Sequence, residues 1–351
     1  MKTLRRILGP IVGLGLLVLL LFGVDRLFPP YYHHLFVLFG VNIILTVSLN
    51  ITNGFTGLFS LGHGGLMLAA GYASAYLTMP VWWKAAHLSL PSWLTNVHWP
   101  LFPALIVGGL VATLFGFVLT APSFRLKGHY FMLMTLGFNI IMVSVGENLI
   151  AFTNGAKGMC PIPTYTNLWW VFGIVAFLVY FVLRLKRSKL GRAMIAVGKD
   201  QTLAETMGIS ASRAKMAAFA ISSFFTGVGG VLLVHVIGNL FPTHFGLDIV
   251  FDVVMMLIIG GMGSVTGSIL GAAIVTGFVE LLSPIQEGFT LFGFAFPRMF
   301  GLVQLLFAVA LILILIFRPY GIMGERELSL RSLGNAARFV GRLIRPRRSV
   351  A

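Results

Sequence analysis

The sequence predicts an all-α, polytopic integral membrane protein, and three observations carry that prediction. The 351 residues are 58% hydrophobic and only 10% charged, with a mean hydropathy of +0.94. A soluble domain carries about 25% charged residues, so lipid must be the solvent for most of this chain. Apolar runs long enough to cross a hydrocarbon core, about 20 residues for a core of about 30 Å, recur from end to end. The basic residues gather at the ends of these runs, on alternate loops.

In chain order, the first run spans 7–24. Lys2, Arg5 and Arg6 before it resemble the start of a signal peptide. The run continues to Val24 and meets Asp25 and Arg26 with no small-x-small cleavage pattern, so it reads as a retained helix. Further crossings fall near 32–51, 63–79, 101–121, 130–151, 168–185, 217–237, 249–261, 266–283 and 298–317, about ten in all. The piece at 249–261 would be only about 20 Å long as a helix, so 249–283 reads either as two crossings or as a re-entrant pair. The stretch 52–62 (TNGFTGLFSLG) holds too many glycines and hydroxyls for a lipid-facing helix. Irregular backbone at that depth survives only where protein or water covers it.

Charge orients the scheme. With the N-terminus inside, the cytoplasmic segments carry 21 of the 25 Lys and Arg residues and the outer segments carry four: Arg26, Lys84, Lys157 and Arg298. Such a bias predicts that both termini are cytoplasmic. Trp82, Trp83, Trp93 and Trp99 in the 80–100 loop fit the outer headgroup level. A transmembrane domain then covers 1–324. A basic tail covers 325–351, read either as an amphipathic helix on anionic lipid or as a disordered segment.

The composition excludes several functions. A net charge of +15 does not indicate nucleic acid when the charges flank apolar runs. One cysteine, Cys160, leaves no internal disulfide and no multi-cysteine metal site. The eight histidines are scattered, with no His-Glu-x-x-His spacing, and no phosphate-binding loop of the G-x-x-x-x-G-K-[ST] kind occurs. No cofactor is expected on this chain; if ATP and Mg drive it, another subunit holds them. Glu147, Asp252, Glu280 and His235 are the ionisable residues inside apolar runs, and the three acids read as wetted groups near outer ends.

Glycine is the louder signal. Gly54, Gly57, Gly62 and Gly64 lie in one cluster, with Ser60 and His63 among them. Gly260, Gly261, Gly263, Gly267 and Gly271, with Ser264, form a second cluster in the other half. Small residues let helix backbones approach closely and permit unwound turns along a substrate path.

The charged segment Arg184–Lys215 is the longest interruption of the apolar pattern, with eight basic and two acidic residues. Within it Thr202 and Glu205 predict a capping box and Gly208 a stop, giving a helix of barely two turns with Leu203, Ala204 and Met207 on one side. So short a helix needs a surface to pack on. That surface is either the bilayer or bundle, or a groove on a cytoplasmic partner. Lys186 reads as a headgroup-level charge of little consequence.

These residues resemble a known family. Gly191-Arg192-Ala193, Asp200, Ala204-Glu205, Met207-Gly208-Ile209, Lys215, Ala218-Phe219 and Gly227 with Gly230 are similar to the cytoplasmic loop and next helix of the LivM/LivH permeases, the branched-chain amino acid type of ABC importer. Gly54-x-x-Gly57-x-x-Ser60-Leu61-Gly62-His63, Arg125-Leu126-Lys127-Gly128-x-Tyr130-Phe131 and Gly260-Gly261-Met262-Gly263-Ser264 through Gly271 resemble three further family motifs, and the second of these is the more LivM-like. The resemblance implies a permease subunit of the bacterial inner membrane. Such a subunit works with a second, LivH-like permease, two cytoplasmic ATPases and a periplasmic binding protein. It implies that Gly191, Arg192, Asp200, Leu203, Ala204, Glu205, Met207 and Gly208 serve coupling to an ATPase. Branched-chain or other hydrophobic amino acids are the implied cargo, with urea or short amides as the family alternative. Asn154-Gly155-Ala156-Lys157-Gly158-Met159 departs from the family's Thr-Gly-Gly-x-x-Gly run. A stand-alone secondary transporter is the competing reading, and the shortage of deep ionisable residues argues against proton coupling in it.

Overall fold

The computed structural model describes residues 22–23, 29–123, 130–286, 290–291, 294–295, 301–318, 321–324 and 327. All of the expected crossing at 7–24 except residues 22–23, the Arg125–Gly128 part of one motif and nearly all of the basic tail lie outside the described residues.

The described residues are mainly helical, with a two-stranded turn pairing Thr290–Leu291 with Phe294–Ala295. Helix α1 (Pro30–Asn50) begins on a proline, whose missing N–H costs nothing at a first turn, and runs into a π-helical turn at Ile51–Phe55. The backbone is then irregular until α2 (His63–Thr78). Two short helices follow, α3 (Val81–His87) and α4 (Ser92–Thr95), and then α5 (Leu101–Ser123), α6 (Tyr130–Asn148) and the single turn α7 (Ile150–Thr153). Helix α8 (Leu168–Arg187) is capped by Asn167, whose side chain accepts from the Trp170 N–H. Next come α9 (Lys189–Lys199), α10 (Gln201–Thr206) and α11 (Ala211–Ile237), which ends on Gly238 in the left-handed region. Helices α12 (Leu247–Gly260) and α13 (Val265–Gln286) form a hairpin, and α14 (Leu302–Phe317) completes the set.

Seven helical stretches among the described residues are long and apolar enough to cross a membrane: Pro30–Phe55, Leu101–Thr120, Tyr130–Asn148, Leu168–Arg187, Ala211–Ile237, Pro242–Gly260 and Val265–Leu282. Helices α2 and α14 each hold 16 residues and align with the expected runs at 63–79 and 298–317. The protein is therefore a polytopic helical membrane protein.

Helix α11 is the centre of the bundle and packs on α5, α2 and α1. A Cβ at Gly230 would lie 2.7 Å from the Met67 Cα of α2, and one at Gly227 would lie 2.9 Å from the Gly108 carbonyl of α5. Backbones that close need glycine, because lipid supplies no hydrophobic drive and association rests on close packing. Helices α6, α12 and α13 are less enclosed, and α6 buries one side only, through Phe131, Thr135, Asn139 and Gly146.

In the 80–100 loop Trp82, Trp93 and Trp99 are exposed, as an interfacial loop requires, but Trp83 is buried in the bundle, which corrects its expected place among them. Lys84 is a finding of the structure. Its ammonium is buried and donates to the carbonyls of Tyr76, Leu94 and Val97, stapling α3 and α4 to the end of α2.

Candidate functional site

The segment read as one charged loop is mostly helix. Ser188 caps α9: its Oγ accepts from the Gly191 N–H at 3.0 Å and donates to the Leu185 carbonyl at 2.7 Å. The reversal is so tight that a Cβ at Gly191 would fall 1.9 Å from the Leu185 oxygen. Arg192 turns back to donate to the Arg187 carbonyl at 2.7 Å. Helix α9 buries Gly191, Met194 and Val197, spaced three apart, and so presents one stripe to the bundle.

The expected capping box is corrected. The cap of α10 is Asp200, whose Oδ1 accepts from the Leu203 N–H at 3.0 Å. Thr202 is already inside the helix, and the Glu205 carboxylate takes a hydrogen bond from Gln201 instead of closing a box. An acid two residues earlier starts the helix earlier, and its charge suits the N-terminal dipole. Gly208 ends the helix as expected, with φ +80° and the Ile209 N–H closing back on the Ala204 carbonyl.

The shared face is corrected too. Ala204 is buried against the bundle, while Leu203 and Met207 stand 63% and 77% exposed, one turn apart. The knob therefore presents two large apolar side chains outward and holds its alanine inward.

Helix α9 rests directly on the broken end of α1. A Cβ at Gly198 would meet the Phe55 carbonyl at 2.4 Å, and Gly57, with φ +66°, sits against Gly198 in return. The irregular stretch after Phe55 is mostly covered by protein, as its depth demands. The Asn53 Oδ1 accepts from the Ser60 N–H at 3.0 Å and the Thr135 Oγ1 of α6 accepts from the Leu61 N–H at 2.9 Å. His63 lies 3.2 Å from the Ser222 Oγ of α11, which donates to the Ser48 carbonyl, and Ser48 meets Thr226 at 3.0 Å. Gly54, Gly57, Ser60, Gly62 and His63 thus join α1, α2, α6, α9 and α11 in one polar seam.

The second glycine cluster builds the α12–α13 hairpin. Gly261 and Gly263 take φ values of +115° and +87°, which side-chain-bearing residues rarely adopt. A Cβ at Gly260 would lie 2.0 Å from the Gly267 oxygen, one at Gly267 2.7 Å from the Gly260 oxygen, and one at Gly271 1.8 Å from the Met256 oxygen. The hairpin meets the first cluster at Asn50. This buried amide donates to the Ser264 carbonyl at 3.0 Å and accepts from the Gly263 N–H at 2.8 Å, and Gly54 is glycine because a Cβ there would strike Asn50.

The start of α13 is capped twice. Ser264 Oγ accepts from the Gly267 N–H at 3.0 Å. Glu327, which the sequence assigns to the tail, accepts from the backbone N–H of Val265 and Thr266 at 3.0 and 3.1 Å and from the Thr266 hydroxyl at 3.0 Å. Lys186 pairs with Glu327 at 2.7 Å and donates to the Gly263 carbonyl at 2.7 Å, so it is a structural contact and not an idle headgroup charge. Burial alone would push the Glu327 carboxyl up. The Lys186 hydrogen bond, the two backbone donors and the Lys186 charge overcome that and hold it below its ordinary value. The turn Gly321–Gly324 closes on the same hairpin, Ile322 and Met323 donating to the carbonyls of Ile259 and Gly260.

Among the described residues the ionisable groups of the apolar runs stand apart from one another. His235 is held by the Pro163 carbonyl at 2.7 Å, and Glu280 accepts from the Tyr31 hydroxyl. Asp252 lies on the exposed side of α12. Among the described residues no three His, Cys, Asp or Glu gather.

Residues 31–316 match the family described as branched-chain amino acid transport system, permease component. The LivM permease of Escherichia coli is 28% identical over 334 residues, covering 85% of this chain and 71% of the relative. LivH of the same organism is 25% identical, covering 81% of this chain and 91% of its own. BraD of Pseudomonas aeruginosa is 25% identical, covering 85% and 98%. No solved structure matches at a significant level.

Proposed function

The chain belongs to the permease component family of branched-chain amino acid transport systems, and on that basis we propose that its α9–α10 knob seats in a partner ATPase and its two glycine clusters line the translocation path. It is a multi-pass membrane permease component of a branched-chain amino acid ABC transport system and is not itself catalytic. Its partners in the proposal are a LivH-like permease, two cytoplasmic ATPases that hold ATP and Mg, and a periplasmic binding protein. Both termini and the 184–216 segment face the cytoplasm of the inner membrane.

One observation carries the docking proposal: Leu203 and Met207 stand exposed on a capped helix whose support, α9, touches the break in α1 through Gly198. Apolar side chains on a short, well-fixed helix suit a groove, and a few such anchors dominate most interfaces. Ala204 and Asp200 hold the knob's shape and Gly191 and Gly208 its turns, while Arg192 and Glu205 fix its ends. The test is the pair Leu203→Asp and Met207→Asp on a tagged chain. Each should weaken ATPase co-purification by at least about 2 kcal/mol, roughly thirtyfold, and stop uptake while the permease still inserts. Full ATPase capture and uptake by the double variant would end the proposal.

A further inference from the structure

Lys186 and Glu327 are 141 residues apart in sequence, yet they close a network around one turn. Lys186 is the second-last residue of α8, and Ser188 caps α9 immediately after it. Its position is thus fixed to the start of the cytoplasmic knob. Its ammonium reaches the other way, to the Gly263 carbonyl and the Glu327 carboxylate. Glu327 in turn holds the two leading N–H groups of α13. A carboxylate at a helix N-terminus is favoured by the dipole and by the open donors there. Asn50 holds the N–H of the same Gly263 whose carbonyl Lys186 holds.

We propose that Lys186 and Glu327 form a strut that carries displacement of the α9–α10 knob to the α12–α13 hairpin. Both are positioning residues for transport, and the first residues of the C-terminal segment are part of the coupling machinery. The inference rests on the knob being the ATPase contact.

Three features separate a strut from a mere stabilising contact. The pair is about three-quarters buried, at 23% and 25% side-chain exposure, so salt and water weaken it less than a surface pair. It bonds to backbone as well as to charge, which fixes direction as well as distance. It joins elements that both grip the glycine turn, where two positive-φ residues make the backbone able to rearrange.

The experiment uses the whole transporter, purified with its ATPases and binding protein and reconstituted in liposomes. ATP hydrolysis and amino acid uptake are measured in the same vesicles for Lys186→Met, Glu327→Gln and two truncations. The expected result is hydrolysis within about twofold of wild type and uptake per ATP reduced by roughly 5–150-fold, the range of ordinary coupling between sites. Ending the chain after Leu328 should leave the ratio unchanged. Ending it after Gly324 should reproduce Glu327→Gln. If Lys186→Met does not assemble, Lys186→Gln, which keeps a hydrogen-bond donor but no charge, takes its place. A wild-type ratio of uptake to hydrolysis in Glu327→Gln and the Lys186 variant overturns the strut, and so does a loss of hydrolysis equal to the loss of uptake. The two proposals fail distinguishably: if Leu203→Asp with Met207→Asp keeps the ATPase bound, the knob is not the contact and the strut from it falls too, whereas lost ATPase binding in that variant with a wild-type ratio in the strut variants overturns the strut alone.

Discussion

Gly271→Ala tests the close crossing of α12 and α13 with the smallest possible change. The added methyl would lie 1.8 Å from the Met256 carbonyl oxygen and 2.9 Å from the Gly260 nitrogen. Both neighbours are backbone, so no rotamer change relieves the clash, and the helices must part by more than an ångström. They cannot part freely, because Asn50, Lys186 and Glu327 hold the turn that immediately adjoins this crossing. Helix propensity works in the opposite direction, since alanine gains about 0.5–1 kcal/mol over glycine in a helix interior. Overpacking costs about 1–3 kcal/mol and sometimes more, so the clash should win. Gly277 on the same helix is the control, with nothing within 4 Å of its would-be Cβ, so Gly277→Ala keeps only the propensity gain. Melting of the detergent-solubilised protein, followed by fluorescence-detected gel filtration, should drop for Gly271→Ala by about 2–4 °C per kcal/mol lost and stay level or rise for Gly277→Ala. Gly267→Leu should be worse still, given the 2.7 Å approach of even a Cβ to the Gly260 oxygen. Equal melting of the two alanine variants would refute the crossing argument.

Three further outcomes are expected. Asp200→Ala should destabilise the knob by about 0.5–2 kcal/mol, seen as faster proteolysis at 200–208, whereas Thr202→Ala should change little; the reverse ranking would restore the Thr202–Glu205 box. The Glu327 carboxyl is held below its ordinary value of 4.5, so its contribution is present above that value and lost as pH falls through the lower folded-state value. The melting difference between wild type and Glu327→Gln should therefore be constant over about pH 5–8 and close only in acid, and closure near neutrality would contradict the bonding described. For topology, Met207→Cys in a Cys160-free background should resist a membrane-impermeant thiol reagent in intact cells and react in inverted vesicles stripped of the ATPase; labelling from outside would reverse the orientation.

The helical bundle was legible because lipid imposes a strong, local rule: an uncharged run of sufficient length must be a helix. The glycine clusters were legible for a related reason, since a glycine inside such a run has few uses besides close approach. Shorter-range detail was less secure. Helix α9 was hidden by its lysines and arginines, although Gly191, Met194 and Val197 recur three apart and Ser188 is a good cap. The capping box failed because two capping residues, Asp200 and Thr202, compete within three positions, and the downstream Glu205 made the wrong one look better. Ala204 was placed with Leu203 and Met207 because all three are apolar, but Leu203 and Met207 are one turn apart while Ala204 points away. Asn50 and the Lys186–Glu327 pair had no local signal. Their partners lie from 61 to 214 residues away, and only the fold brings them together.

The two routes from the knob to the hairpin differ in physical kind. Helix α9 bears on Phe55 and Thr56 through Gly198, and the same end of α1 carries Asn50, which holds the Gly263 N–H. The first step of that route is van der Waals contact, which resists compression strongly and extension hardly at all. The other route runs through Lys186 to the Gly263 carbonyl and Glu327, and a charge-assisted hydrogen bond resists being pulled apart. Contact can push the turn and the ion pair can pull it, so a knob moved in either direction by a partner would displace Gly263. If a partner ATPase moves the knob, the link works in both directions, and both halves of it end on one glycine.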